Sequence, residues 1–287
     1  MRWSSRGKSS DIEDRRGSGV GFGGGGFGRV APIGLGGVAV LFVLSLLTGQ
    51  NFLSMLDDSG DPSALPPTGA ATTPAADRDF DLVTFVLDDA QDTWQSILGT
   101  RYQRAHLVLF TDVVESACGM AQSATGPFYC AEDQKVYIDL GFYRELKDRF
   151  GAPGEFAQAY VLAHELGHHV QKLTGIEAQV RQAQREQPRR ANALSVAMEL
   201  QADCYAGIWG HSTSQRNILE KGDVEDGLNA AASIGDDRIQ RMSGGRVAPE
   251  QFTHGSSADR VSWFKRGVES GRIDSCNTFG ARAVPEG

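Results

Sequence analysis

The chain lacks an excess of basic residues, and no long run of charges of one sign occurs in it. It has 28 Lys and Arg residues against 36 Asp and Glu residues, a formal net charge of −8 over 287 residues. A nucleic-acid-binding domain needs a basic face, so the charge argues against a nucleic-acid partner. We interpret the scattered acidity as general solubility.

No pair of cysteines has the C-x-x-C spacing, which argues against a zinc ribbon. The four cysteines are Cys118, Cys130, Cys204 and Cys276. In an oxidising compartment they would form two disulfides, with three pairings to choose from. We favour Cys118–Cys130, which closes a short loop, and Cys204–Cys276, which ties the C-terminal tail to the core. Four buried thiols are the alternative, because free cysteine is common in protein interiors.

One long segment has no charge at all. Residues 30–47 form an apolar run of eighteen residues, near the lower limit for a helix that crosses a bilayer. Basic residues precede this run, and acidic residues follow it from Asp57 onward. The positive-inside rule then predicts a cytoplasmic tail at 1–29, a transmembrane helix at 30–48 and an extracytoplasmic remainder of a single-pass membrane protein.

A cleaved signal peptide and a buried core helix are the alternatives to this membrane anchor. The glycine-rich stretch before the apolar run is long for the start of a signal peptide, and no small-x-small cleavage site follows it. The run also has no polar face, which argues against a core helix.

The remainder of the chain predicts an α+β domain. Residues 49–78 are rich in Pro, Gly, Ser, Thr and Asp, which is typical of a flexible linker, so the folded domain is expected at 79–287. The apolar spacing predicts an amphipathic helix at 79–98, strands at Leu107–Phe110 and Val136–Asp139, and helices at about 155–172, 190–209, 215–243 and 257–269. Residues 173–190 read as an exposed helical excursion broken at Pro188. This order indicates a mostly helical domain with a small sheet.

The motif HELGH at residues 164–168 lies within one of these helical patterns. Because an α-helix turns by about 100° per residue, the side chains of His164 and His168 point only about 40° apart. Two imidazoles in this arrangement can bind one metal ion. Glu165 lies beside them without binding, where a base for a metal-bound water is needed.

Gly167 within the motif and His169 directly after it add to this interpretation. Gly167 costs about 1 kcal/mol relative to alanine in a helix, which indicates close packing against another element. His169 points about 140° from His164, so we interpret it as a surface residue or as a partner of a ligand. The alternative for the whole motif is a pair of exposed histidines on a helix.

A catalytic zinc needs a third protein ligand and an open position. Glu199 and Asp203 lie four residues apart on a later predicted helix and share one face. We assign Glu199 as the third ligand and Asp203 as the acceptor that orients His164 through its other ring nitrogen. The alternative is a solvated carboxylate pair, but the surrounding sequence MELQADCYAGIWG is too apolar for an exposed face.

Other candidates for the third ligand are weaker. No histidine follows His168 at the metzincin spacing, which excludes that class. His211 and His254 are competing ligands. Asp236 and Asp237 form a further acidic pair that is more simply explained as a helix cap or a turn.

With HELGHH at 164–169 and ELQADC at 199–204, the chain resembles a bacterial family of membrane-anchored neutral zinc metallopeptidases. The similarity continues in GPFYCAEDQKVYIDLGFY at 126–143, IGDDRIQ at 234–240 and FTHGSSADR at 252–260. The resemblance implies a zincin-like domain with Zn²⁺ bound by two histidines and a glutamate, a protein or peptide substrate, and an external catalytic domain on one membrane span.

The resemblance also implies roles for two weaker elements. Val136–Asp139 would be the edge strand that pairs with an extended substrate. His254 and Arg260 would stabilise the oxyanion that forms when water attacks a carbonyl. A capping motif before the helix at Ser257 explains these two residues equally well.

The predicted function is zinc-dependent hydrolysis of peptide bonds, with Glu165 assisting the attack of a metal-bound water. One alternative is a membrane-tethered binding or assembly factor with a structural or vestigial zinc, although such a site needs no base. A zinc amidohydrolase that acts on cell-wall peptide is another, and it would differ only in the shape of its cleft.

Overall fold

The structure is a computed structural model that describes residues 1–5, 7–17, 74–123, 126–242, 244 and 246–280. The predicted transmembrane helix at 30–48 and nearly all of the predicted linker lie outside these residues. Among the helices that are described, none is long and apolar enough to span a bilayer. The first helix, α1, runs from Pro74 to Leu98 and begins ahead of the expected domain start at residue 79.

The main sheet has four strands in the order β1-β2-β6-β5. These strands are β1 at Ile12–Asp14, β2 at His106–Phe110, β5 at Phe128–Cys130 and β6 at Lys135–Asp139. β2 is parallel to β1 and β6, whereas β5 is antiparallel to β6. The expectation that Val136–Asp139 is the edge strand is therefore wrong, because β6 lies between β2 and β5. The short strand β5 forms that edge instead.

The two central strands are buried on both faces, which explains their continuous apolar character. Leu107 and Leu109 of β2 pack into the core formed with α1 and the later helices. Val108 and Phe110 point to the opposite face and pack against Val114. Val114 belongs to a separate two-stranded hairpin made of β3 at Val113–Ser116 and β4 at Gly119–Gln122.

The N-terminal segment belongs to the folded domain. Met1–Gly17 forms one compact unit with the described residues from Pro74 onward, and β1 pairs with β2 so that Ile12 lies opposite Leu107. The prediction of a separate tail at 1–29 is therefore wrong for residues 1–17, which are part of the folded domain. The strand is three residues long and two of them are acidic, so its sequence carries no alternating apolar signal.

Helices make up the rest of the domain, which confirms the α+β class. They are α2 at Gly141–Asp148, α3 at Glu155–Leu173, α4 at Ile176–Glu186, α5 at Ala191–Gln215, α6 at Asp223–Ser233, α7 at Asp236–Met242 and α8 at Ser257–Ser270. The excursion at 173–190 is α4 followed by a 3-10 turn at Pro188–Arg190. The helical signal at 215–243 resolves into two helices.

Close backbone contacts fix the helices that carry the motifs. A Cβ atom on Gly167 of α3 would lie 3.0 Å from both the Cα and the carbonyl oxygen of Ala202 in α5. The close approach predicted at Gly167 is therefore confirmed. A Cβ on Gly267 of α8 would lie 2.0 Å from the carbonyl oxygen of Cys204, so α5 contacts α8 just as closely. α5 thus connects α3 on one side with α8 on the other.

Both expected disulfides are present. Cys118–Cys130 joins the β3–β4 turn to the end of β5, and Cys204–Cys276 joins α5 to the C-terminal segment. None of the cysteines is free. The alternative of four buried thiols is therefore wrong.

Candidate metal centre

The two motif histidines of α3 and Glu199 of α5 meet at one point. The Nε2 atom of His164 lies 3.2 Å from Oε2 of Glu199, and the Nε2 atom of His168 lies 3.4 Å from Oε1. Each of the three residues offers one ligand atom, and these three atoms lie within 4.8 Å of one another. The packing of Gly167 on Ala202 brings the two helices close enough for this arrangement.

The other nitrogen of each ring has its own partner. Nδ1 of His164 lies 2.8 Å from the Asp203 carboxylate, and Nδ1 of His168 lies 2.9 Å from Oε1 of Gln171. These contacts orient both imidazoles so that Nε2 faces the common point. Gln171 was not predicted from the sequence, although its position three residues after His168 on the same helix could have identified it.

Two imidazole nitrogens and one carboxylate, with oriented rings, are the donor set of a catalytic zinc site. The electrostatics of the site also fit a cation. Burial alone would lower the pKa of His164, but the negative charges of Asp203 and Glu199 favour a positive charge there and raise the pKa to about 10. Glu165, Glu199 and Asp203 contribute three carboxylates against the single guanidinium of Arg260, and a divalent cation would balance this excess of negative charge.

Arg260 lines the cavity, and its guanidinium pairs with the carboxylate behind His164. Its Nε and Nη2 atoms donate to the two oxygens of Asp203, each at 2.9 Å, and both side chains are almost fully buried. Tyr160 also donates its hydroxyl hydrogen to Asp203. Burial by itself would raise the pKa of Asp203, but Arg260 and His164 hold it below the usual range. Arg260 therefore keeps the orienting carboxylate ionised.

Glu165 faces a cavity beside the three ligands. Only 8% of the residue is exposed, and this burial raises its pKa above the ordinary value of a glutamate. A carboxylate with a raised pKa accepts a proton more readily near neutral pH than an exposed one does. The position and the chemistry are those of a general base.

His254 lines the same cavity and is held by Asp236 at the start of α7. Its Nδ1 atom lies 3.2 Å from Oδ1 of Asp236. Oδ2 of Asp236 accepts the backbone N–H groups of Thr253, His254 and Gly255 at 2.7, 2.6 and 2.9 Å. Asp237 accepts from Ser257 at the start of α8, so the turn and cap interpretation of this acidic pair is confirmed.

The other two histidines considered from the sequence have different neighbours. His211 contacts the carbonyl oxygen of Val268 and the side chain of Gln215. His169 is fully buried, so its interpretation as a surface residue is wrong. Its Nδ1 atom lies 3.0 Å from the hydroxyl of Tyr129 in β5, which ties the edge strand to α3.

Comparison with known proteins identifies one family and several uncharacterized relatives. Residues 1–279 match the family described as "Putative neutral zinc metallopeptidase". The chain is 48% identical to the uncharacterized protein YpfJ of Escherichia coli K12 over 285 residues, which cover 98% of this chain and 99% of that protein. It is 42% identical to the uncharacterized protein Rv2575 of Mycobacterium tuberculosis H37Rv over 199 residues, or 66% of each chain.

No solved structure matches the chain. The family match nevertheless covers the HELGH motif, Glu199, the Asp203–Arg260 pair and the cavity. The chain belongs to the neutral zinc metallopeptidase family.

Proposed function

We propose that the protein hydrolyses peptide bonds of protein or peptide substrates with a zinc ion held by His164, His168 and Glu199, in a zincin-like domain. The observation that carries this proposal is the meeting of these three side chains beside a cavity that Glu165 also lines. A purely structural metal site needs neither a neighbouring buried base nor an open cavity.

A bound zinc supplies Lewis acidity, which makes water a nucleophile near neutral pH and polarises the scissile carbonyl. Glu165 accepts the proton of the attacking water and passes it to the leaving amine. The ring of His254, held by Asp236, donates a hydrogen bond to the negative charge that develops on the carbonyl oxygen. Asp203 and Gln171 keep the ligand rings in place.

The edge strand β5 is the element that we expect to bind the substrate backbone. Its residues Phe128 and Tyr129 line the cavity next to the ligands, and one side of β5 is paired with β6. An extended peptide can add to a strand edge through main-chain hydrogen bonds. The contact between Tyr129 and His169 holds this strand against the helix that bears the motif.

The decisive experiment uses a Glu165→Gln variant of the full chain. We expect it to bind one zinc per chain with unchanged affinity, to keep its circular dichroism spectrum, and to lose hydrolysis of a casein-type substrate. Turnover equal to that of the unchanged protein would reject Glu165 as the base. If chelation unfolds the unchanged protein and no peptide is ever cleaved, a tethered binding factor with a structural zinc is the better explanation.

We also propose that the domain works outside the cytoplasm, and that residues 30–48 hold it at the membrane without carrying the chain across. The two disulfides support this location, because stable disulfides form in oxidising compartments and are rare in the cytoplasm. Cell fractionation shows whether the chain is in the membrane or the soluble fraction, and gel electrophoresis with and without a reducing agent shows whether its disulfides are formed. A fully reduced chain in the soluble fraction would contradict it.

A further inference from the structure

The cavity beside the candidate metal centre has an apolar wall. Its volume is about 490 Å³, within the roughly 300–1,000 Å³ range of small-ligand pockets. The apolar wall consists of Phe128, Phe142, Phe150, Val161, Ile234, Ile239 and Met242. Glu145 and Arg149 also line the cavity. This wall faces the same space as Glu165 and His254. A group bound there therefore lies next to the reacting atoms.

Two of the wall residues are exposed at the mouth of the cavity. Ile239 and Met242 are 38% and 44% exposed, and both belong to α7 three residues apart, so they share one helix face. Exposed apolar side chains at a concave site are typical of a binding surface, because the stability of the fold does not require them to be exposed. α7 also begins with Asp236, which holds His254.

A second depression of about 300 Å³ adjoins the metal centre and has a mixed lining. Its charged and polar residues are Glu177, Arg181, Gln184 and Ser195, and its apolar residues include Ala131 and Met198. Tyr129, His168 and Glu199 line both depressions, so these adjoin at the metal centre. An extended peptide across the centre would meet the apolar wall in one depression and a mixed, charged lining in the other.

We infer that the apolar cavity binds a large apolar side chain, such as Phe, Leu or Met, of the substrate residue next to the scissile bond. This inference rests on the proposed function. Burial of such a side chain against the wall is favourable because it removes apolar surface from water. The second depression offers the same side chain a less suitable lining, because Glu177 and Arg181 contribute charged groups to it. This difference sets the direction of the peptide as well as the site of cleavage.

The test begins with the zinc-loaded full chain and an unfolded protein substrate whose cleavage sites are read by mass spectrometry. We expect Phe, Leu, Met or Tyr at one of the two positions that flank the cleaved bond, and no enrichment at the other. For a peptide containing one preferred site, replacing the apolar residue by Ser should lower kcat/KM at least tenfold.

Variants at the cavity mouth make the test specific. Ile239→Asp and Met242→Asp should lower kcat/KM for the apolar peptide at least fivefold more than they lower it for the Ser peptide. Met120→Asp is the matched control, because Met120 is 65% exposed on β4 and lies outside the cavity lining. Equal losses for both peptides, or an equal loss in the control, would overturn the inference.

A binding measurement separates this inference from the proposed function. The Glu165→Gln variant should bind a labelled apolar peptide at least fivefold more tightly than the Ser peptide, as measured by fluorescence anisotropy. If peptides are cleaved without preference, the inference fails and the proposed function stands. If nothing is cleaved but the apolar peptide still binds selectively, the proposed function fails and the binding site stands. If the two peptides bind equally, the inference is overturned.

A second inference comes from the N-terminal segment, whose contacts with the domain are extensive. Trp3 donates its indole N–H to Glu155 at 2.9 Å and stacks on Phe85 of α1. Asp11 accepts from Arg104 and from Gln91, both of which belong to the domain. The backbone of β1 hydrogen-bonds into the sheet along its whole length.

We propose that Met1–Gly17 and the catalytic domain lie on the same side of the membrane. Paired strands are about 4.8 Å apart, whereas the hydrocarbon core of a bilayer is about 30 Å thick. β1 therefore cannot pair with β2 across a membrane. The cytoplasmic N-terminus expected from the positive-inside rule is incompatible with the pairing of these strands.

Accessibility labelling in intact cells tests this proposal. The exposed residues Lys8 and Lys265 are each replaced by cysteine in the full chain, in separate variants, and treated with a membrane-impermeant maleimide. We expect both new cysteines to react, or both to be protected until the cells are opened. Opposite behaviour of the two sites, or removal of the N-terminal segment from the mature chain, would overturn the proposal.

Discussion

Oδ1 of Asp203 lies 2.8 Å from Nδ1 of His164, on the side of the imidazole opposite Glu199. This carboxylate also receives two hydrogen bonds from Arg260. One ligand histidine is thus oriented by an ion pair that is buried between α5 and α8. Asp203 and Arg260 therefore hold α5 against α8 and also orient the ring of His164.

Replacing Arg260 by Met should destabilise the fold. It leaves the Asp203 carboxylate buried without its cation, and breaking a buried ion pair in this way lowers the free energy of unfolding by about 3–5 kcal/mol. Urea denaturation measures the effect. Lys265→Met, an exposed substitution on the same helix, is the control and should change stability little. An Arg260 variant of normal stability with a greatly reduced kcat would instead support the oxyanion role expected from the sequence.

Gly167→Ala should loosen the metal centre. Alanine favours a helix by about 1 kcal/mol, but the added Cβ would lie 3.0 Å from two backbone atoms of Ala202. Relief of this overlap separates α3 from α5 and costs roughly 1–3 kcal/mol. Zinc affinity from a chelator competition should fall together with stability. Gly210→Ala is the control, because its Cβ would make ordinary contacts from 3.4 Å outward.

The His254–Asp236 contact should stabilise the fold in a defined pH range. The hydrogen bond that His254 donates to Asp236 raises the pKa of His254 despite burial, so this contribution is complete below the unfolded pKa of about 6.5 and is lost as pH rises through the folded value. Burial would raise the pKa of Asp236, but His254 and backbone N–H groups lower it. Its contribution is present above an unfolded pKa of about 3.9 and is lost as pH falls through the folded value.

The contact between His254 and Asp236 should therefore stabilise the fold fully between about pH 4 and 6.5, and this stabilisation should decrease gradually at higher pH. His254→Gln should lower the urea midpoint more at about pH 5.5 than at about pH 8.5. The effect should stay below about 1 kcal/mol, because 52% of the histidine side chain is exposed. His106→Gln, at the exposed start of β2, is the control and should show no such difference. An equal change at both pH values would contradict the expectation.

Removal of residues 1–17 should lower the Tm of the protein. The deletion takes away β1 and leaves the backbone groups of β2 unpaired at a new sheet edge, which destabilises the sheet and favours aggregation. Differential scanning fluorimetry and size-exclusion chromatography measure both effects. A shortened chain that is as stable and as soluble as the full chain would show that β1 contributes nothing to the fold.

The sequence predicted the elements that depend on local geometry. The direction of His164 and His168 follows from the repeat of a single helix, so the pair could be read without a structure. Glu199 and Asp203 were identifiable because two carboxylates four residues apart in an apolar stretch need a buried partner. The disulfide pairing was favoured because Cys118–Cys130 closes a short loop and Cys204–Cys276 ties the C-terminal tail to the core.

Other features could not be read in this way. β1 is short and acidic, and only the free edge of β2 gives it a partner. The edge position of β5 is a property of strand order, which the sequence of one strand does not contain. His254 lies 18 residues from Asp236, and the turn between α7 and α8 joins them.

The sequence by itself determined the candidate ligands and the candidate base. His164, Glu165 and His168 lie within two turns of one helix, and Glu199 and Asp203 lie one turn apart on another, so the helix repeat sets their side-chain directions. Only the tertiary structure decided where these groups act. The packing of α5 between α3 and α8 assigns Arg260 to Asp203, and the position of α7 creates an apolar wall beside the base. Such contacts join residues far apart in the chain, and no local pattern records which distant surfaces will meet.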